Sequence, residues 1–170
     1  LNASKHEWKH LLYQIEICGL IDNVPGDFAE FGVAGGTTLV SFARILEIQD
    51  AGKTDAEKRD VYGFDSFEGL PDVDPDIDIG LKKNDEMTKG GFYDPAGNED
   101  LFDFVKKKDY VHLIKGWFNK TLPTFLEERR HISFSLVHMD ADLYSSTLEV
   151  LNLIWPHISP GGILVFDELF

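Results

Sequence analysis

Apolar and polar residues alternate along the chain in segments that predict strands and helices in turn. Strand-like apolar runs occupy Asp27–Val33, Val61–Asp65, Tyr110–Lys115, Ile132–Met139 and Gly162–Phe166. Apolar residues at helical spacing precede the first run and fill most intervals between the others. This alternation predicts one α/β domain over residues 1–170, with a doubly wound, mostly parallel sheet and helices on both faces, a Rossmann-like fold.

The helical periodicity indicates an amino-terminal helix between Trp8 and Leu20 and four later helices. These are expected at Thr37–Gln49, Glu99–Lys107, Thr124–Arg129 and Ser145–Trp155. The stretch Pro71–Asn98 is rich in Gly, Pro and Asp and shows little periodicity, so we expect a lid or an acceptor-binding loop. Because the sequence ends at Phe170, soon after the fifth run, further carboxy-terminal strands are expected beyond this sequence.

Two of the apolar runs break into carboxylates. Asp140 and Asp142 follow the fourth run, and Asp167 and Glu168 follow the fifth. In an open α/β sheet, ligands bind outside the carboxyl ends of the strands, so these acids should lie along one edge. Neighbouring carboxylates repel one another unless a cation lies between them or their pKa values rise. The first hypothesis is a hard divalent cation; alternatively, each acid caps a helix or ends a strand in a turn.

The first strand ends in a glycine-rich turn that is a candidate cofactor site. Its spacing departs from the G-x-G-x-x-G of dinucleotide enzymes, which disfavours a nicotinamide oxidoreductase. The turn suits an amino acid-like ligand better than a pyrophosphate, with an acid on the strand near the ligand's ammonium group. A purely structural role in packing is the alternative. The candidate residues are Glu30, Gly32, Gly36, Thr37 and Thr38.

The second and third strands end in further candidates. Asp65 precedes Ser66 and Phe67 and could accept hydrogen bonds from both ribose hydroxyls of a nucleoside, or simply form a turn. At the third strand end, Gly116 leads into two aromatic residues that could stack on adenine or close the core. These aromatic residues are Trp117 and Phe118.

Composition narrows the functional classes. The chain has 170 residues and a formal net charge of −14, which argues against nucleic acid or an anionic membrane as a partner. It contains no apolar run of membrane-spanning length. Since Cys18 is the single cysteine, an internal disulfide is impossible and the cytoplasm is the default compartment.

Four ordered motifs resemble the macrocin O-methyltransferase family, whose members methylate sugar hydroxyls on natural products. The resemblance extends from Gly26 to Glu168, and D-S-F-x-G-L-P and D-x-D-x-Y-x-S-T are its most specific parts. The motifs begin at Gly26, Tyr62, Lys115 and Met139. The resemblance implies a class I S-adenosylmethionine-dependent methyltransferase fold, with S-adenosylmethionine as cofactor and a sugar-containing acceptor.

The resemblance also implies roles for the acids. Metal-dependent members of the family bind Mg²⁺ through residues that correspond to Asp140, Asp167 and Glu168. Where this chain has Asp167-Glu168, the family usually has Asp-Asp. Asp142 corresponds to the general base for the sugar hydroxyl, and His138 is a second candidate base. The acceptor is expected to be a glycosylated natural product or a sugar nucleotide, and a homo-oligomer is one alternative for the assembly. The alternative function is a non-catalytic nucleotide-binding or sugar-binding module.

Overall fold

The computed structural model describes residues 5–55, 57–78 and 88–167, with side chains from residue 8 onward. Within these residues the chain forms five strands and five α-helices. In chain order they are α1 (Lys5–Leu20), β1 (Asp27–Phe31), α2 (Thr37–Gln49), β2 (Val61–Asp65), α3 (Pro95–Val105), β3 (Val111–Lys115), α4 (Phe118–Glu128), β4 (Phe134–Met139), α5 (Tyr144–Ile154) and β5 (Ile158–Phe166). No helix in this part of the chain combines the length and the apolar character needed to span a bilayer.

The five strands form one parallel sheet in the order β3-β2-β1-β4-β5. The predicted doubly wound α/β fold is therefore confirmed. Chain order reverses between β1 and β4, because the chain builds β2 and β3 on one side of β1 before it crosses to the other. Such a switch point opens a crevice at the carboxyl ends of the two strands.

The sheet separates two hydrophobic cores. One lies under α1, α2 and α3 and is built around Phe28, Phe42 and Leu136. The other lies under α4 and α5 and is built around Phe31 and Phe125. Successive side chains of β1 point to opposite faces, so neighbouring residues of one strand belong to different cores. Strands buried on both faces explain why the apolar runs are nearly continuous in the sequence.

Element boundaries were predictable where the apolar pattern is uninterrupted. Thr37–Gln49 and Val61–Asp65 have the predicted ends, whereas α3 begins at Pro95 and not at Glu99. Pro at the first helical position is preorganised for a helix. The Asp94 carboxylate accepts a hydrogen bond from the Gly97 N–H at 3.0 Å and caps the helix start.

Two other elements begin earlier than predicted. α4 begins at Phe118 and not at Thr124, because burial of Leu122, Phe125 and Leu126 extends the helix through Pro123 despite a lost hydrogen bond. β5 begins at Ile158 and not at Gly162, and includes Pro160. Pro is tolerated there because β5 lies at the edge of the described sheet.

A buried ion pair joins the carboxyl ends of α1 and α2. The Arg59 guanidinium donates to the Asp50 carboxylate at 2.5 Å and to the Ile21 carbonyl at 2.8 Å. Both charged side chains are almost fully buried, with exposures of 6% and 5%. The backbone N–H of Arg59 also donates to the Asp50 carboxylate at 2.9 Å. The pair therefore holds the residues that precede β2 against the carboxyl ends of α1 and α2.

Replacing Arg59 with alanine should lower the free energy of unfolding by about 3 kcal/mol, since it removes one partner of a buried ion pair. Urea denaturation checks this value. Arg130→Ala is the matched control, because the Arg130 side chain is 75% exposed and its ion pair with Glu127 is long, at 3.7 Å. The control should change stability by less than about 0.5 kcal/mol. Equal effects in the two variants would contradict the assignment.

Candidate active site

A cavity of about 430 Å³ opens at the carboxyl edge of the sheet. This volume lies in the range of small-molecule sites. Each of the five strands contributes a residue at or just after its end to the lining. The sequence-predicted residues that line it are Gly32, Asp65, Ser66, Phe67, Gly116, Trp117, Phe118, Asp140, Asp142 and Asp167.

Glu30 and His138 do not line this cavity. They are register partners on β1 and β4, and the Glu30 carboxylate lies 2.9 Å from the His138 Nδ1. Their exposed fractions are 1% and 4%, and the His138 ring packs against Phe42 of α2. Side chains at these positions point to the face that carries α1–α3. The structure thus gives no support to Glu30 as a contact for a ligand ammonium group or to His138 as a second base.

The pair instead forms a buried polar contact below the cavity. Burial raises the pKa of the Glu30 carboxyl group, and the hydrogen bond and charge of His138 oppose that rise only in part. Burial lowers the pKa of the His138 imidazole, but the hydrogen bond and charge of Glu30 outweigh it and raise the pKa overall. The Glu30 Oε2 atom has no hydrogen-bond partner among the described atoms. The contact costs desolvation and joins β1 to β4 within the sheet.

The three remaining residues of the glycine-rich turn also lie outside the lining of the cavity. Gly36 and Thr37 line a separate groove between α1, α2 and α3, and Thr38 lines neither. Gly36 has φ 81° at the start of α2, and a Cβ atom there would press against the Leu101 side chain at 2.5 Å. The positive φ, together with this close approach to α3, favours glycine at the start of α2.

Asp65 fixes the turn that follows β1. Its Oδ2 atom accepts hydrogen bonds from the Val33 and Ala34 N–H groups at 2.7 and 2.9 Å. Its Oδ1 atom accepts from the Phe67 N–H at 2.6 Å. A carboxylate has about four acceptor positions, so one remains in this conformation. Asp65 could then accept one ribose hydroxyl and not the two that the sequence suggested.

Gly32 brings the β1 end directly against the segment that follows β4. Its φ is 91°, and a Cβ atom at this position would overlap the carbonyl oxygen of Asp140. The Asp140 N–H donates to the Phe31 carbonyl at 2.8 Å and continues the strand pairing by one residue. The absence of a side chain at Gly32 therefore sets the position of Asp140 relative to the turn.

The aromatic pair after β3 lies at the start of α4. Trp117 is the N-cap residue and Phe118 the first helical residue. The Phe118 ring packs edge-on against Phe31 at 5.7 Å, so it belongs partly to the core. Trp117 is half-buried and lines the cavity, where a planar ligand could stack on it.

Asp140 and Asp167 follow adjacent strands and both line the cavity. Burial and the negative charge of Asp167 raise the pKa of the Asp140 carboxyl group to about 7. Mutual repulsion of this kind would be relieved by a bound cation. Mg²⁺ takes one or two carboxylates together with water or substrate oxygens, so two acids suit it chemically. Among the described residues, however, no group of three or more acids, histidines or cysteines has the arrangement of a metal site, and Glu168 lies outside them.

Asp142 has a strained backbone. Its φ is 56°, and the Leu143 N–H donates to the Ala141 carbonyl at 2.5 Å, which closes a tight turn around it. Such φ values are unfavourable for residues other than glycine and often occur at functional sites. The turn places Asp142 in the lining of the cavity.

The other side of the cavity is formed by residues that sequence reasoning did not assign to the site, apart from the suggested acceptor loop. Two hydrogen bonds of 2.9 Å join Leu70 to Gly90 and Gly91 and close the base of this loop. The next residues, Phe92 and Tyr93, line the cavity and are 42% and 55% exposed. The lining on this side is Gly69, Leu70, Pro71, Gly91, Phe92, Tyr93, Asp94, Asn98, Asn119, Ser146 and Glu149. In the sequence, the feature that indicates this side of the cavity is the Gly-Phe-Tyr-Asp segment, which has aromatic residues between turn-forming residues.

Comparison with known proteins identifies related chains. Residues 9–170 match the family described as macrocin-O-methyltransferase (TylF). Demethyldecarbamoylnovobiocin O-methyltransferase of Streptomyces niveus is 32% identical over 159 residues, which is 86% of this chain and 54% of that protein. Mycinamicin III 3''-O-methyltransferase of Micromonospora griseorubida is 30% identical over 154 residues, covering 88% of this chain and 57% of that protein.

The fold has a counterpart among solved structures. The crystal structure of CalS11, calicheamicin methyltransferase, superposes with a TM-score of 0.83 at 30% identity and covers 98% of this chain and 66% of that one. The chain thus spans little more than half the length of the curated relatives it matches.

Replacing Asp140 with asparagine should stabilise the metal-free protein at pH 8 by about 2 kcal/mol and have little effect at pH 4. The Asp140 pKa is about 7 in the folded protein and 3.8 ordinarily, so the folded state binds this proton more tightly than the unfolded chain. The stabilisation of the folded state by this proton is present at low pH and is lost as the pH rises from about 4 to 7.

Urea denaturation in EDTA at the two pH values tests the predicted direction of the stability change. The control is Asp109→Asn, since Asp109 is exposed between α3 and β3. A destabilising Asp140→Asn variant at pH 8 would show that the carboxylate is already compensated without a cation.

Proposed function

Since the chain belongs to the macrocin O-methyltransferase (TylF) family, we propose that it is an S-adenosylmethionine-dependent, Mg²⁺-assisted O-methyltransferase. Its acceptor is a sugar hydroxyl of a glycosylated natural product or of a sugar nucleotide. The single observation that carries the proposal is the shared cavity, which joins the turn after β1, Asp65, Trp117 and the acids after β4 and β5. A cytoplasmic location stays a prediction from the single cysteine.

The cofactor side of the cavity suits a nucleoside. Trp117 offers a face for the adenine ring, and the last acceptor position of Asp65 is available to one ribose hydroxyl. The contact between Gly32 and the Asp140 carbonyl holds the turn after β1 at this side of the cavity, where both residues belong to the lining. S-adenosylmethionine supplies a methyl group on a sulfonium sulfur, which needs an oxygen nucleophile in line with the bond that breaks.

The acidic side of the cavity suits the acceptor hydroxyl. Asp140 and Asp167 would hold Mg²⁺, with Glu168 as a further candidate outside the described residues. A bound Mg²⁺ lowers the pKa of a coordinated hydroxyl and fixes its position. Asp140 must be deprotonated to bind a cation, so its raised pKa predicts weaker metal binding below about pH 7.

Asp142 is the residue that would take the proton. As the acceptor oxygen forms its bond to the methyl carbon, the carbon–sulfur bond breaks and the hydroxyl proton passes to the Asp142 carboxylate. The electron pair of the broken bond stays on sulfur, which becomes an uncharged thioether. A general base of this kind accounts for about 10²- to 10⁴-fold in rate, and alignment of the reactants contributes further.

Calorimetric titration with S-adenosylhomocysteine tests the cofactor. We expect binding by the unaltered protein and about tenfold weaker binding by Trp117→Ala, which removes the stacking face. Trp155→Ala is the matched control, because Trp155 is 69% exposed and absent from the cavity lining. No binding by the unaltered protein would sink the proposed function.

Turnover with S-adenosylmethionine, Mg²⁺ and a panel of glycosides and sugar nucleotides tests the chemistry. Asp142→Asn should lower kcat by about 10²- to 10⁴-fold and leave S-adenosylhomocysteine affinity within twofold, since it removes the base and not a cofactor contact. Asp109→Asn should keep the full rate. Cofactor binding without turnover on any acceptor would instead favour the non-catalytic binding module.

A further inference from the structure

The first turn of α5 obtains its cap from a distant part of the chain. The N-cap residue Leu143 offers no side-chain acceptor. Instead, the Asp78 carboxylate accepts hydrogen bonds from the Ser145 N–H at 2.7 Å and the Ser145 hydroxyl at 2.9 Å, across 67 positions of sequence. A carboxylate at a helix start satisfies a free N–H group and is stabilised by the helix dipole. Asp78 therefore holds the beginning of α5 in place.

Asp78 differs from the other acids of its loop. Asp72 is exposed and pairs with Lys89 at 2.6 Å, and Asp76 is also exposed, whereas Asp78 has an exposed fraction of 5%. The Asp78 carboxylate also accepts from the Asp74 N–H at 3.0 Å, and its own N–H donates to the Asp74 carbonyl at 2.8 Å. These bonds close residues 74–78 into one turn that presents Asp78 to α5.

The strained residue Asp142 lies between two fixed points. On its amino-terminal side, the Asp140 N–H is bonded to the Phe31 carbonyl of β1. On its other side, Leu143 is fully buried and Ser145 is bonded to Asp78. A backbone conformation that costs energy persists only when its surroundings hold it. Asp78 supplies one of the constraints that keep Asp142 in the cavity lining.

We propose that Asp78 is a positioning residue for methyl transfer, which acts through α5 on the orientation of Asp142. The inference rests on the proposed function, in which Asp142 takes the proton from the acceptor. Asp78 itself does not line the cavity. Its loss should misplace the base without removing any contact to the cofactor, and a small misplacement of a catalytic group costs up to about 100-fold in rate.

Asp78→Ala should lower kcat by about 10- to 100-fold and leave the affinity for S-adenosylhomocysteine within twofold. Asp78→Asn keeps an oxygen that can accept from the Ser145 N–H, so it should recover much of the rate. The matched control is Asp76→Ala, which removes the same charge from an exposed position of the same loop. Kinetics on whichever glycoside the unaltered protein methylates provide the measurement.

A double-mutant cycle separates positioning from general structural damage. If Asp78 acts through Asp142, adding Asp78→Ala to Asp142→Asn should lower kcat by less than a further twofold. A multiplicative loss would overturn the inference, because the two residues would then act independently. Equal rates for Asp78→Ala and the unaltered protein would overturn it as well.

Hydrogen exchange tests the same coupling without turnover. In Asp78→Ala, the amides of residues 142–147 should exchange at least tenfold faster than in Asp76→Ala, because α5 loses its cap. Unchanged exchange would overturn the inference while S-adenosylhomocysteine binding by the unaltered protein still supports the proposed function. If that protein binds the cofactor but methylates no acceptor, the proposed reaction fails and the role of Asp78 in it fails too.

Discussion

The site depends on one contact between two backbones. Five parallel strands bring their carboxyl ends to one edge, and the contact between Gly32 and the Asp140 carbonyl brings the turn after β1 against the acids after β4. Because the obstacle to a side chain at position 32 is main chain, no rotamer change can relieve it. The turn after β1 and the acids after β4 are therefore held close together.

The carboxylates at this edge of the sheet differ in how their negative charge is stabilised. Asp65 is satisfied by three backbone N–H groups, and Asp78 by a helix start. Burial and the charge of Asp167 raise the pKa of the Asp140 carboxyl group to about 7. Acids that accept hydrogen bonds from backbone N–H groups and an acid with a raised pKa thus lie along one edge of one sheet. Hydrogen bonding distinguishes these roles, whereas residue type does not.

The fold and the strand-end residues were predictable because apolar periodicity reveals where buried strands end. Asp65, Trp117 and Asp140 follow from that logic alone. Glu30 and His138 stay predictions as site residues, since they contact each other at 2.9 Å on the face that carries α1–α3 and do not line the cavity. The apolar pattern of a strand buried on both faces does not show which side chains point to which face. The sequence did not predict the start of α4, because Pro123 disfavours a helix at that position. Burial of the apolar residues around it maintains the helix in the folded protein.

Asp78 could not be identified from its surroundings in sequence. It is one of several acids in an alternating run, and its partner Ser145 belongs to a helix far along the chain. Nothing local distinguishes a buried carboxylate from its solvated neighbours. Contacts of this kind are the part of a site that only the folded chain reveals.

The division of the interior into two cores has a consequence for how the molecule can change. Residues such as Phe42 and Phe125 lie on opposite sides of a continuous sheet and share no packing partners in the two clusters. Substitutions at sites this independent tend to add without coupling. The layer of α4 and α5, which contributes Ser146 and Glu149 to the cavity, can therefore diversify while the layer that supports the turn after β1 stays as it is.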